Sequence, residues 1–129
     1  MHVIGYIKNT MDLGLLYLCD GDISPTAYVD DDYGGCRDTQ RSTLGYIFTM
    51  AEGAVCWSSK RQATVALSTV EAEYIAMLRC TQQMVWMQSW LEEVEVEHEL
   101  LGLMKGDSQG AFALIKNTKD HRKIKHIDI

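Results

Sequence analysis

Five acidic side chains carry the chemistry this sequence can offer. Three are consecutive, Asp30, Asp31 and Asp32, in the stretch "YVDDDYGG" from Tyr28 to Gly35. The others are Glu73, inside "EAEY", and Asp107, inside "GDSQGAF". Carboxylates that converge repel one another unless a cation sits among them, and a hard divalent ion such as Mg²⁺ prefers oxygen ligands while keeping several waters. Paired Mg²⁺ ions activate water and stabilise a leaving oxygen in phosphodiester cleavage. The plain alternative is a set of scattered surface acids, so what matters is whether the fold brings them together.

The elements follow from residue patterning. "VIGYIKNT" has the character of a helix end, "LGLLYL" from Leu13 to Leu18 reads as a strand, and "GDISPT" as a turn-rich connector. "AYVD" is a strand running into the aspartates. Because a strand alternates its faces, Asp30 and Asp32 point one way and Asp31 the other. "STLGYIFTM" and "AVCWSS" are β-rich and joined by "AEG", which predicts a hairpin. Ser68 with Glu71 three residues on is a capping-box pattern and starts a long helix near Thr69. Met77, Cys80, Met84, Met87, Leu91 and Val94 recur at steps of three and four and trace its apolar face. Glu73 lies four residues before Met77 and continues that stripe, whereas Glu71 sits about 200° round the axis and needs no role beyond capping. A glutamate on a core-facing stripe calls for a cationic partner.

"HELLGLMKGD" reads as a further strand ending at Asp107, and "SQGAFALIKN" as a shorter helix ending near Asn117. Asp107 by itself is explained as a helix cap. If its strand runs parallel to the one bearing Asp30, both acids reach the C-terminal edge of the sheet, the usual functional edge of an open α/β sheet. Glu73 then approaches from the crossover helix. The order strand, strand, strand, helix, strand, helix gives an antiparallel three-strand meander plus a parallel strand added through a helical crossover.

"RSTLGYIFTM", "AVCWSSKRQATVALSTVEAEYIA" and "KHIDI" resemble the ribonuclease H region of copia-type retrotransposon polyproteins, with similarity from about Leu13 to the last residue. The resemblance implies a ribonuclease H-like mixed α/β sheet. It also implies cleavage of the RNA strand of RNA–DNA hybrids with Mg²⁺, or Mn²⁺ in its place, held by four acids. Asp30 matches the first acid of a "DADWAG"-like motif, Glu73 the helical glutamate, and Asp107 the acid of a "CDNQSAI"-like motif. These three are the expected catalytic and metal-ligating residues. Tyr33, Gly34, Val70 and the run Gly106-Asp107-Ser108 depart from the family pattern without removing a ligand.

The fourth acid is the main departure. In the family it lies beyond "KHIDI", after another strand, in an "ADILTK"-like motif, and the sequence ends at Ile129. Asp128 is a poor substitute, better explained as a surface residue. The expectation is a domain with the last strand and helix missing, weak or inactive as it stands. On this reading residues 1–26 are a connector from a preceding polymerase region, including the leading strand, and residues 27–129 the incomplete ribonuclease H-like domain. The remainder of a reverse transcriptase polyprotein is the natural partner. A non-enzymatic remnant serving as a structural or interaction module is the rival reading.

Other motifs are excluded. "YVDD" also resembles a polymerase box, but "DYGGCRD" follows where a returning apolar strand is required. An EF-hand counted from Asp30 puts Gly34 at position 5 and Arg41 at position 12, where a bidentate glutamate belongs.

Composition bounds the rest. A chain of 129 residues with 47% hydrophobic content forms one domain with its own core. A net charge of −6 argues against a free-standing nucleic-acid binder. The cations cluster at Lys60-Arg61 and in "KDHRKIKH" from Lys119 to His126. Lys60, Arg61 and Gln62, placed in the loop between hairpin and helix, are the expected phosphate contacts on a hybrid. Cys19, Cys36, Cys56 and Cys80 form no CxxC pair and are read as free thiols, and the four histidines show no ligand spacing. Trp57, Trp86 and Trp90 are read as core or partner-facing. With no apolar run long enough to span a bilayer and no signal pattern, no membrane role and an intracellular location are expected.

Overall fold

The computed structural model describes residues 2–96, 102–107, 109 and 111. It is a mixed α/β fold with a four-strand open sheet. The elements are α1 (His2–Asn9), β1 (Thr26–Asp32), β2 (Thr43–Met50), β3 (Gly53–Arg61), α2 (Thr69–Glu93) and β4 (Leu103–Lys105). In space the strands run β3-β2-β1-β4, with β1, β2 and β3 antiparallel in sequence and β4 parallel to β1. The meander and the parallel addition are as the sequence predicts. The helix expected over "SQGAFALIKN" lies almost wholly outside the described residues, as do Asp128 and the basic run from Lys119.

One face of the sheet packs on α2. Ala27 and Val29 of β1 and Leu44 and Phe48 of β2 point inward and are buried. They meet Met77, Cys80, Met84, Met87 and Leu91, the stripe read from the spacing. Val94 departs from it: it is the C-cap and stands exposed, since the helix ends at Glu93 before a further turn could return to the sheet. Ser68 caps the other end, its hydroxyl accepting from the Glu71 N–H at 3.2 Å, while the Glu71 carboxylate accepts from the Leu67 N–H at 2.8 Å. The first satisfies a donor that the helix start leaves open, and the second ties down the residue ahead of the cap. Cys80 is a buried thiol pushed up to about 11, chiefly by burial, and all four cysteines are free.

The leading strand expected at Leu13 to Leu18 does not form. That segment is irregular and mostly exposed, and it straps across the end of the hairpin instead. Leu18 N–H donates to Ala51 O at 3.0 Å, and Tyr17 Oη donates to Ala54 O at 2.7 Å. The Tyr17 ring lies over Gly53, where any Cβ would collide with it. An apolar run without alternation fits a strap as well as a strand, and here Leu18 N–H and Tyr17 Oη tie it to the hairpin. The three tryptophans are likewise surface residues, with Trp57 64% and Trp86 60% exposed.

Ala51 and Glu52 form the two-residue hairpin turn with φ of 49° and 65°. Both values are left-handed, as a type I′ turn demands, yet neither residue is the asparagine or glycine that adopts them cheaply. Replacing Glu52 by Gly removes the strain, and chemical denaturation is expected to show a gain of up to about 1 kcal/mol. Glu52→Ala keeps the strain and should show none.

Candidate functional site

The parallel pairing of β1 and β4 positions the site. Thr26 to Tyr28 pair with Leu103 to Lys105, after which the two chains part. Asp30 lies two residues beyond the last β1 partner, and Asp107 two residues beyond the last of β4. Both therefore stand at the same C-terminal edge. Gly106 permits the close approach: a Cβ there would come within 3.0 Å of the Met77 side chain and 3.3 Å of Val29. Glu73 arrives from the first turns of α2, one turn ahead of Met77. One carboxylate oxygen from each of Asp30, Glu73 and Asp107 lies within 4.8 Å of the others. The three acids singled out in the sequence are thus brought together, with Glu73 half-buried and the two aspartates exposed.

Asp31 belongs to this site as well, although the sequence singles out only Asp30, Glu73 and Asp107 as ligands. It follows Ala27 and Val29 on the inward face, so its carboxylate meets Glu73. The Ser42 hydroxyl, fully buried and accepting from Gly34 N–H at 3.1 Å, stabilises the Asp31 carboxylate. Asp31 Oδ2 and Glu73 Oε2 are buried atoms with no hydrogen-bond partner. Two ionised carboxylates have no proton to offer each other, so both atoms are orphaned until a proton or a cation is shared. Burial and mutual repulsion raise both groups, so the pair favours holding a proton between them. Alternation along β1 already separated Asp31 from Asp30. What it could not give is that the inward direction leads to Glu73.

The electrostatics record this crowding. Glu73 is raised from 4.5 to about 7, first by burial, then by the charges of Asp31 and Asp107. Asp31 is also raised, first by burial and then by Asp30 and Asp32, against the pull of its hydrogen bonds. The donor set is entirely carboxylate oxygen, which suits a hard divalent ion such as Mg²⁺ or Mn²⁺ and not a thiolate- or imidazole-loving metal.

The three residues expected at phosphates are placed differently from one another. Lys60 and Arg61 end β3 and do not lie in a loop, because the backbone ladder to Leu44 and Thr43 continues through them. Both are exposed. Gln62 is only 3% exposed; its Nε2 donates to Ala72 O at 3.0 Å, tying the strand end to the start of α2.

No known family profile and no solved structure matches this chain. Relatives are found by sequence. The chain is 42% identical over 114 residues to the retrovirus-related Pol polyprotein from transposon TNT 1-94 of Nicotiana tabacum, covering 87% of this chain and 8% of that protein. It is 33% identical over 125 residues to the corresponding polyprotein from transposon RE2 of Arabidopsis thaliana, covering 97% of this chain and 9% of the relative. Secreted RxLR effector protein 161 of Plasmopara viticola is 41% identical over 85 residues, 66% of this chain and 60% of that protein.

Crowded acids make a pH prediction. Where folded values lie above the unfolded 3.8 and 4.5, the folded state holds more protons, so stability is full below those values and falls as pH rises toward about 7. Melting in EDTA should therefore show Tm declining from about pH 4 to pH 7, and Glu73→Gln should flatten that decline. A wild-type Tm that rises across this window would contradict the described contact. By sequence, the homologues of this chain include retrovirus-related Pol polyproteins of copia-type transposons, and it spans less than a tenth of the two polyproteins compared above.

Proposed function

We propose that this retroelement-derived chain is a ribonuclease H-type domain that cleaves the RNA strand of RNA–DNA hybrids, weakly as these 129 residues. The observation that carries the reading is the convergence of Asp30, Glu73 and Asp107 at the edge where β1 and β4 part. The mixed sheet with a parallel strand added through α2 agrees with the ribonuclease H-like architecture, and the Pol polyprotein relatives agree with the source.

Asp30, Glu73 and Asp107 would hold Mg²⁺, or Mn²⁺ in its place, and Asp31 would orient Glu73 from the inward side. The ion, when bound, supplies the Lewis acidity that activates water and stabilises the leaving oxygen. Asp31 and Glu73 are both raised, so the pair must give up its proton before Glu73 can ligate. Lys60 and Arg61 would engage backbone phosphates, which position a duplex without reading its sequence. Discrimination for RNA would come from 2′-hydroxyls across the minor groove of the hybrid.

Weak activity is expected because the described cluster holds three ligating acids, where the family uses four. The test is single-turnover cleavage of an end-labelled RNA–DNA hybrid at enzyme excess. Mg²⁺-dependent products from the RNA strand alone should appear, and they should fall to background in Asp30→Asn and in Glu73→Gln. Asp31→Asn, which keeps the shape but removes a supporting charge, should cost about 10–100-fold. No cleavage with either Mg²⁺ or Mn²⁺ would favour the non-enzymatic remnant, and cleavage indifferent to Asp30→Asn would remove the acids from the mechanism.

A further inference from the structure

A second concavity lies between the β3 side of the sheet and the flank of α2, with a volume of about 590 Å³. Its sheet wall carries Lys60 and Arg61, and its helix wall carries Arg79, Gln82 and Trp86. Among the described residues three cations line it and no acid does, although the chain as a whole has a net charge of −6. Such segregation of charge focuses a positive field into one groove. Trp86, 60% exposed, offers an unpacked indole at one end. Arg79, Gln82 and Trp86 fall on one stripe of α2 at steps of three and four, and Arg79 is steadied by a 3.1 Å hydrogen bond to Gln82 Oε1.

The floor holds a buried glutamine. Gln62, 3% exposed, lines this cleft, and its Nε2 is committed to the Ala72 carbonyl. That contact fixes which amide atom is oxygen, since a carbonyl cannot accept from another. Gln62 Oε1 is then a buried acceptor without a donor. A buried polar atom left unpaired is costly.

We infer that this cleft is a single-stranded nucleic-acid subsite, with backbone phosphates on Lys60, Arg61 and Arg79 and an unstacked base on Trp86. A charged groove with an exposed aromatic is the usual means of holding a strand without reading its sequence. The cleft is joined to the acids by the sheet itself. Asp31 pairs with Leu44 and Leu44 with Lys60, all in one row on the inward face, so Lys60 lies two strand spacings, about 10 Å, from Asp31. Along α2, Arg79 to Trp86 spans about 10 Å more. The groove therefore suits a few nucleotides of a strand that leaves a hybrid next to the cleavage site. The choice of ligand rests on the nuclease reading; the charge, the orphaned acceptor and the indole do not.

The test is fluorescence anisotropy of labelled dT12 and U12 oligonucleotides with the 129-residue chain in EDTA, so that cleavage plays no part. Trp86→Ala should weaken binding about fivefold or more, as the loss of one stacked base does, and Trp86→Phe should restore most of it. Arg79→Ala should weaken binding and lower the slope of log affinity against log salt by about 0.7, the share of one phosphate contact on a single strand. Lys8→Ala removes the same charge from α1 and should change neither affinity nor slope. All three α-helical positions are exposed, and circular dichroism would confirm that the variants fold. Binding untouched by Arg79→Ala and Trp86→Ala, or lowered equally by Lys8→Ala, overturns the subsite, as does the absence of any binding at low salt. Loss of the cleft with acid-dependent hybrid cleavage intact would leave the nuclease reading standing. Strand binding at the cleft with no cleavage would do the reverse.

Discussion

Mutual repulsion among four carboxylates is the constraint around which this domain is arranged. Asp30, Asp31, Glu73 and Asp107 come from three separate elements, and nothing in their own chemistry draws them together. What holds them is the packing behind them: β1 and β4 paired in parallel, and the methionine stripe of α2 seated on Ala27, Val29 and Phe48. Hydrophobic burial along that stripe fixes Glu73 one turn ahead of Met77, where it has no neutral partner among the described groups. The energy stored there appears as the raised Glu73 and Asp31, and it is released by whatever brings positive charge to the cluster.

One register of the sheet links the acid cluster to the cationic cleft. A single inward row, Asp31, Leu44 and Lys60, runs from the acid cluster to the cationic cleft. Negative charge is concentrated at one end of that row and positive charge at the other, so a polyanion would be drawn along the cleft while a divalent ion is drawn to the acids. An acidic net charge is compatible with nucleic-acid chemistry when the charges are sorted in this way. The bulk value of −6 conceals the sorting, and only the folded arrangement makes it visible.

Much of this was legible in the amino-acid sequence, for reasons that can be named. Glu73 stood out because helical periodicity put a charge on an apolar face, and Asp107 because a strand ended beside it. Ser68 and Glu71 marked the helix start because capping is a local interaction between residues three apart. What failed depended on partners far along the chain. Leu13 to Leu18 is apolar enough for a strand, but Leu18 and Tyr17 are tied to the hairpin end, which no local pattern reveals. The polar residues Lys60 and Arg61 resemble a loop, yet an edge strand needs only a backbone ladder. Strand alternation separated Asp31 from Asp30, but which of them faces inward, and what Asp31 meets there, depended on where α2 lies. The exposure of Trp86 was similarly hidden, because its size and apolarity argue for the core while its place on the flank of α2 decides otherwise.

Thermal melting at neutral pH with increasing Mg²⁺ tests the central claim most directly, because it reads the acid cluster whether or not the chain cleaves anything. An ion that binds only the folded state must raise Tm as its concentration exceeds its dissociation constant. The arrangement described here requires that rise in the wild-type chain and its loss in Glu73→Gln, where repulsion and ligand disappear together. A wild-type Tm that stays level up to tens of millimolar Mg²⁺ and Mn²⁺ would mean that the acids converge without serving a metal.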